Sequence, residues 1–126
     1  MLKHAICLLT LALLCGCTSG PKKETYAEGV IRRNAKVRNT GSDLNLRNIA
    51  KALEDYHADN GNYPVCGDYT QLEPMLSPEH IRILPARDAW GYRYRYSSDG
   101  TTYRLASVGY DGREGTADDI VISSGE

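Results

Sequence analysis

Apolar residues recur at helical spacing after Ser42, and this stripe is the clearest structural signal in the chain. Its members recur at intervals of three or four positions and so share one face of a helix: Leu46, Ile49, Ala50, Leu53 and Tyr56 or His57. Ser42 or Asp43 can cap the free backbone donors at the start. The Asp-Asn-Gly run at 59–61 can end the helix in a left-handed turn. One helix cannot form a core alone, so the stripe must pack on other elements.

The pattern upstream of this helix is weaker. Residues 26–38 are polar with scattered Ala, Val and Ile, which predicts a loose helix at most. The Asn-Thr-Gly-Ser sequence at 39–42 interrupts it with residues that favour turns. We therefore expect a tether or stalk at 17–41 and a globular domain at 42–126.

Prolines punctuate the connection after the helix, at positions 64, 74, 78 and 85. Each proline fixes its own backbone and removes a hydrogen-bond donor, so a long helix is excluded here. Short helical turns are expected at 69–75 and 78–83.

From Tyr92 onward the period of the pattern changes to two. Segment 92–96 alternates tyrosine and arginine, which places three tyrosines on one face of a strand and Arg93 and Arg95 on the other. Bases alternating with aromatics also occur in proteins that bind single-stranded nucleic acid, but the solvent face of a sheet is the simpler interpretation. Residues 102–108 and 120–122 are the second and third predicted strands.

These elements predict an α+β fold, in which one amphipathic helix packs on a small three-stranded antiparallel sheet. This arrangement buries the apolar stripe of the helix against one face of the sheet. A chain of 126 residues, 41% hydrophobic and 25% charged, has room for one such core.

The amino-terminal residues predict export. Residues 1–4 form a short basic start and residues 5–14 are apolar, with Leu14, Cys15 and Gly16 before Cys17. The apolar run is about half of the roughly 20 residues that a membrane-spanning helix needs, so it predicts a signal peptide at 1–16. Its ending resembles the lipobox of bacterial lipoproteins. An ordinary cleaved signal with a coincidental cysteine is the alternative.

The lipobox resemblance implies diacylglyceryl transfer to Cys17, cleavage before it and acylation of the new amino terminus. Three acyl chains anchor a protein firmly, since each buried methylene contributes about 0.8 kcal/mol. Because Thr18 follows, the resemblance implies the outer membrane, facing the periplasm or the exterior. Cys7 and Cys15 would leave with the signal peptide. The remaining Cys66 is expected to be a small buried hydrophobe, with intermolecular pairing or reactivity as the alternatives.

An acidic, glycine-punctuated loop lies at 109–120, between the second and third predicted strands. Its carboxylates, Asp111, Asp118 and Asp119, would repel one another, and a hard divalent cation with oxygen ligands is a common remedy. Asp and Gly are also typical of any turn. A solvated surface loop is therefore the plain alternative to a calcium site.

Charge and missing motifs limit the function classes. The formal net charge is -1, so no bulk field draws the chain to nucleic acid, and no nucleic-acid partner is expected. Neither His57 nor His80 lies near a serine in the sharp strand-to-helix turn that presents a catalytic nucleophile. After the predicted cleavage, the chain has no His-x-x-x-His or Cys-x-x-Cys sequence that could bind a metal. We expect no enzymatic activity. A small envelope enzyme and a calcium-dependent binder of an extracellular ligand are the alternatives.

Four segments in chain order resemble the major pseudopilin, protein G, of the type II secretion system. The segment 46–64 resembles the end of the pseudopilin helix and the turn after it. The Asp-Ala-Trp-Gly sequence at 88–91 resembles the Asp-Pro-Trp-Gly segment before its first strand, with Ala89 in place of Pro. The segments 105–112 and 115–120 resemble its carboxy-terminal calcium loop.

This resemblance implies a pseudopilin-like head with a calcium site. The side-chain ligands would be Asp111 and either Asp118 or Asp119, and backbone carbonyls around Val108 and Arg113 would complete the site. The long apolar helix that forms the core of a pseudopilin filament has no counterpart here, where the lipobox stands instead. The resemblance thus implies a head domain on a lipid anchor, with a structural or interaction role and secretion or envelope proteins as partners.

Overall fold

A computed structural model of the chain describes residues 23–125, so the predicted signal peptide and Cys17 lie outside it. In chain order the elements are helix α1 (Tyr26–Asn60), a 3-10 turn (Tyr69–Leu72), helix α2 (Glu73–Leu76) and strands β1 (Arg95–Ser98), β2 (Tyr103–Ser107) and β3 (Ile120–Ser123). The strands form one antiparallel sheet in the order β1-β2-β3. Helix α1 packs on β2 and β3, so the predicted α+β fold is confirmed.

Helix α1 is longer than predicted. It begins with a capping box, in which Thr25 Oγ1 accepts a hydrogen bond from Glu28 N and the Glu28 carboxylate accepts one from Thr25 N. It ends at Asn60, and the capping residue Gly61 has a left-handed φ of 78° as predicted. The predicted interruption at 39–42 is wrong, because the helix continues through these residues. The predicted domain boundary at residue 42 therefore falls inside α1.

The turn-like residues of 39–42 instead form the contact between α1 and the segment 88–91. The buried Ser42 Oγ accepts a hydrogen bond from the backbone N–H of Ala89 at 3.1 Å. Asn39 Oδ1 accepts one from Trp90 Nε1 at 3.0 Å. Local sequence preferences for a turn are thus overridden by tertiary hydrogen bonds.

Only the carboxy-terminal half of α1 is buried. Its buried residues are Ser42, Leu46, Ile49, Ala52 and Leu53. The preceding half, residues 26–41, contains only exposed and partly buried positions. No helix in the described range 23–125 combines the length and the apolar character that crossing a membrane requires.

The sheet has its apolar face on the helix. Tyr96 pairs with Leu105 across β1 and β2, and Leu105 pairs with Ile122 across β2 and β3. Tyr94 and Tyr96 are buried while Arg93 and Arg95 are exposed, which confirms the predicted alternation for these four residues, but Tyr92 is exposed and does not join the buried face. Strand β1 starts later than predicted, at Arg95.

Tyrosine hydroxyls fasten the proline-containing connection to the core. Tyr69 OH donates to the Pro85 carbonyl at 2.6 Å, and Tyr96 OH donates to the Pro64 carbonyl at 2.7 Å. Burial raises the pKa of Tyr96 to about 12, so its hydroxyl remains a proton donor at neutral pH. Of the two expected helical turns, 69–75 overlaps the 3-10 turn and α2, whereas 78–83 contains no helix.

Candidate functional site

The acidic loop joins β2 to β3 and starts with a close backbone contact. Val108 follows β2 with its side chain buried in the core, and Gly109 has a left-handed φ of 64°. A Cβ at Gly109 would lie 2.5 Å from the Asp118 carbonyl oxygen and would press on the Asp118 carboxylate. Glycine is therefore required for Asp118 to approach the start of the loop.

The Gly109→Ala variant is expected to lose about 3 kcal/mol of unfolding free energy, from backbone strain and from displacement of Asp118. Gly115→Ala is the matched control, because Gly115 also has a positive φ, of 87°, but has no atom within 4 Å of an added Cβ. That control should lose about 1 kcal/mol. Urea unfolding of both variants measures the difference, and equal losses would contradict the contact.

The loop carboxylates converge on the hydroxyl of Thr116. Thr116 Oγ1 lies 2.7 Å from Asp118 Oδ1 and 3.2 Å from Asp119 Oδ1. Asp111 Oδ1 lies 3.3 Å from the same atom, and the Arg113 carbonyl oxygen lies 3.2 Å from it. A hydroxyl donates one proton, so it satisfies only one of these four oxygens at a time.

Each aspartate also accepts a hydrogen bond from the loop backbone. Asp118 Oδ2 accepts from Asp111 N at 3.1 Å, and Asp119 Oδ2 accepts from Gly115 N at 2.7 Å. Asp111 Oδ1 accepts from Arg113 N at 2.8 Å. The threonine hydroxyl, followed by backbone N–H groups, keeps the pKa of Asp118 below its usual value, so this carboxylate is charged at neutral pH.

The donor set is of the kind that calcium prefers, since carboxylates, a backbone carbonyl and a hydroxyl are all hard oxygen ligands. The sequence analysis predicted backbone carbonyl ligands around Val108 and Arg113. The Arg113 carbonyl oxygen lies within hydrogen-bond distance of Thr116 Oγ1, whereas no such contact is seen for the Val108 carbonyl. Within residues 23–125, no three acidic, histidine or cysteine side chains stand in the arrangement of a formed metal site. The aspartates are hydrogen-bonded to the loop instead, and their chemistry still fits a calcium ion.

A buried aspartate that the sequence analysis did not single out connects this loop to the domain. Asp88 Oδ1 accepts from the backbone N–H groups of Trp90 at 3.0 Å and Tyr92 at 2.8 Å. Asp88 Oδ2 accepts from Ser107 Oγ at 2.6 Å, and Ser107 Oγ accepts from Gly109 N at 3.4 Å. The network ties the turn at 88–91 to the end of β2, where the acidic loop begins.

Trp90 lies between the loop and the unburied half of α1 and contacts both. Tyr110 packs edge to face on Trp90, with ring centroids 5.2 Å apart, and the Arg38 guanidinium lies 5.0 Å from the Trp90 ring centroid. Together with Ile31 and Asp118 these residues line an open groove of about 420 Å³. In this groove the Asp118 carboxylate lies beside the aromatic rings of Trp90 and Tyr110.

The two histidines weighed in the sequence analysis are engaged with aromatic rings. His57 stacks on Tyr63 with ring centroids 4.4 Å apart. His80 packs edge to face on Tyr56 at 5.4 Å, and His80 Nδ1 lies 3.8 Å from an Asp59 carboxylate oxygen. Both side chains thus contribute to packing.

Cys66 is half-buried and packs against the core cluster. Burial raises the pKa of its thiol above the usual value, so the thiol is protonated at neutral pH. A protonated, partly covered thiol is a weak nucleophile and behaves as a small apolar group.

With this geometry in place, comparison with known proteins decides the family. The chain matches the family model described as type II secretion system (T2SS), protein G, over residues 29–124. The chain belongs to the protein G family. A crystal structure of the major pseudopilin from the type 2 secretion system of enterohaemorrhagic Escherichia coli is similar to it, with 27% sequence identity and a TM-score of 0.59. That match covers 73% of this chain and 87% of the pseudopilin chain, whereas no curated protein matches.

Membership of the protein G family confirms the predicted pseudopilin-like head. The family is structural, which indicates a structural role in secretion and a location in the cell envelope. The family match begins at residue 29, inside the segment predicted as a tether. Most of the unburied half of α1, from residue 29 onward, is therefore part of the matched region.

Proposed function

We propose that the protein is a lipid-anchored protein of the cell envelope with a structural or interaction role in type II secretion. Its head domain is stabilised by calcium. The family match over residues 29–124 supports the structural role in this proposal. The head offers contact surfaces, and the three aspartates of the acidic loop, Asp111, Asp118 and Asp119, all accept hydrogen bonds that order that loop. A role in holding other envelope proteins follows from this combination.

The lipobox supports the anchor. Leu14, Cys15 and Gly16 precede Cys17, and only a short tether with Gly20 and Pro21 separates Cys17 from the capped start of α1 at Thr25. Such a tether would hold the head close to the membrane surface.

Replacement of Cys17 with Ala is expected to release the protein from the membrane fraction, because no acyl chain can then be attached. Cys15→Ala is the control, since Cys15 lies in the same segment and is not the acylated residue. Immunoblots of membrane and soluble fractions measure the distribution. A Cys17→Ala protein that stays in the membrane fraction would contradict the anchor.

The convergence of Asp111, Asp118 and Asp119 on one hydroxyl supports the calcium site. Bound calcium would neutralise carboxylates that otherwise repel one another and would fix the connection between β2 and β3. The loop differs from the helix-flanked calcium loop, which needs a Glu at its twelfth position. We expect a modest affinity, with a Kd of about 0.1 to 1 mM, as in extracellular modules.

Affinity capture from crosslinked membranes tests the proposed role in secretion. The wild-type protein is expected to recover type II secretion components, and the Cys17→Ala protein is expected to recover fewer because it leaves the membrane. Recovery of no secretion or envelope component by the wild-type protein would contradict the proposal.

The open groove beside Asp118 favours one alternative, a calcium-dependent binder of an extracellular ligand. Trp90 lines this groove and is the only tryptophan of the chain, so its fluorescence reports on occupancy. A ligand that quenches Trp90 with calcium and not with chelator would favour this alternative over a structural role.

A further inference from the structure

The unburied half of α1 presents a basic and apolar surface on the side opposite the core. At 100° per residue, one set of side chains falls within a third of the helix circumference. This arc of residues 26–44 also holds Gly29 and Thr40, and we call its larger side chains the outer face: Tyr26, Val30, Arg33, Lys36, Val37 and Leu44. All are exposed except Val30, which is partly buried. The buried positions of the helix, such as Leu46 and Leu53, project to the opposite side.

The charge of the outer face is uncompensated. The nearby acids are engaged elsewhere, since Glu24 pairs with Arg32 at 2.9 Å and Glu28 belongs to the helix cap. Among the ion pairs described for residues 23–125, none involves Arg33 or Lys36. The face therefore combines two cations that make no ion pair within residues 23–125 with exposed apolar side chains, as surfaces that bind anionic lipid do.

A second helix is a poorer fit for this face than an anionic surface. Positions 26, 30, 33, 37, 40 and 44 follow the spacing of a coiled coil, but Arg33 and Thr40 interrupt the apolar seam. A second copy of the chain packed in register would bring Arg33 and Lys36 against the same charges. Anionic headgroups attract those charges instead.

We propose that the outer face lies on the membrane that holds the lipid anchor and contacts anionic phospholipid headgroups. This inference rests on the proposed anchor at Cys17. The tether from Cys17 to Thr25 spans about 30 Å when fully extended, so the start of α1 stays within that distance of the bilayer. Each basic residue close to an anionic bilayer strengthens binding to it roughly fivefold. Tyrosine rings such as that of Tyr26 are enriched at the depth of the lipid headgroups.

The position of the acidic loop agrees with this orientation. Ile31 projects about 120° around α1 from Val37 and lines the groove with Tyr110 and Asp118. When Val37 faces the membrane, the aspartates of the loop point away from headgroups of the same charge. The head is then presented to the aqueous side.

Cysteine labelling at Val37 and Ile31 tests the inference with a matched pair. Their side chains are 71% and 68% exposed in the isolated chain, so they differ in the direction they face and not in access. Purified lipidated Val37→Cys and Ile31→Cys proteins, in a Cys66→Ser background, are reconstituted into vesicles of phosphatidylglycerol and phosphatidylcholine. A water-soluble maleimide should label Val37→Cys roughly fivefold more slowly than Ile31→Cys.

The protection of Val37→Cys should disappear in vesicles of phosphatidylcholine alone and after Arg33→Glu with Lys36→Glu. Equal labelling of both positions in anionic vesicles, with the protein still bound to them, would overturn the inference and leave the anchor intact. Protection that grows with protein density at fixed lipid composition would indicate a second copy on this face and would also overturn it. A wild-type chain that does not stay with vesicles contradicts the anchor and the inference together.

Discussion

The Asp88→Ala variant is expected to lose about 3 to 5 kcal/mol of unfolding free energy, which lowers the Tm by 12 °C or more in a domain of about 100 residues. The change leaves three donors without their acceptor: Trp90 N, Tyr92 N and Ser107 Oγ. Asp88 is only 6% exposed, so water cannot readily replace the carboxylate. Thermal and urea unfolding measure the loss.

Two further variants separate the buried network from an ordinary turn. Asp99 also accepts two backbone N–H groups, Thr101 N at 2.8 Å and Thr102 N at 2.7 Å, but it is exposed. Asp99→Ala should therefore cost about 1 kcal/mol. Asp88→Asn keeps one carbonyl acceptor, so its loss of unfolding free energy should lie between those of Asp88→Ala and Asp99→Ala. An Asp88→Ala loss no greater than that of Asp99→Ala would show that the network contributes little.

Calcium is expected to raise the Tm of the purified protein. With a Kd of about 0.1 to 1 mM, a concentration of about 10 mM stabilises the folded state by about 1.4 to 2.7 kcal/mol. This corresponds to a Tm increase of about 6 to 15 °C. Chelator should reverse the increase, and magnesium should produce less of it because magnesium demands a small octahedral site.

Variants and pH identify the loop as the source of the calcium effect. Asp118→Asn should abolish the increase, while Asp99→Asn should preserve it. The folded-state pKa of Asp118 is lowered from 3.8, so its charged form stabilises the fold above pH 3.8 and this contribution is lost as pH falls through the lower value. The calcium effect should therefore persist at pH 5. An equal effect in Asp118→Asn would place the ion elsewhere.

Local patterns were sufficient for the elements whose own residues determine them. The stripe from Leu46 to Leu53 and the alternation at 93–96 reflect which side chains face the core, and both were confirmed, whereas Tyr92 proved to be exposed. The turn predicted at 39–42 failed because Asn39 and Ser42 bond to residues that are distant in sequence. The turn preference of a short segment contains no information about partners that are distant in sequence.

The acidic loop also shows that residues are predictable from local patterns, whereas contacts with distant residues are not. The acidic pattern of the loop supplied Asp111, Asp118 and Asp119, and the structure brings them together on one hydroxyl. Thr116 was missed although it lies among these aspartates in a loop where a hydroxyl can serve as a ligand or donor. Asp88 was missed as a buried acceptor because Ser107, its side-chain partner, is 19 residues away.

Calorimetric titration of the purified protein with calcium tests the central claim most directly, namely that the loop between β2 and β3 is a metal site of a structural head. The account predicts one ion per chain with a Kd of about 0.1 to 1 mM, lost in Asp118→Asn and retained in Asp99→Asn. Absence of binding to the wild-type protein, or binding that Asp118→Asn leaves unchanged, would contradict it.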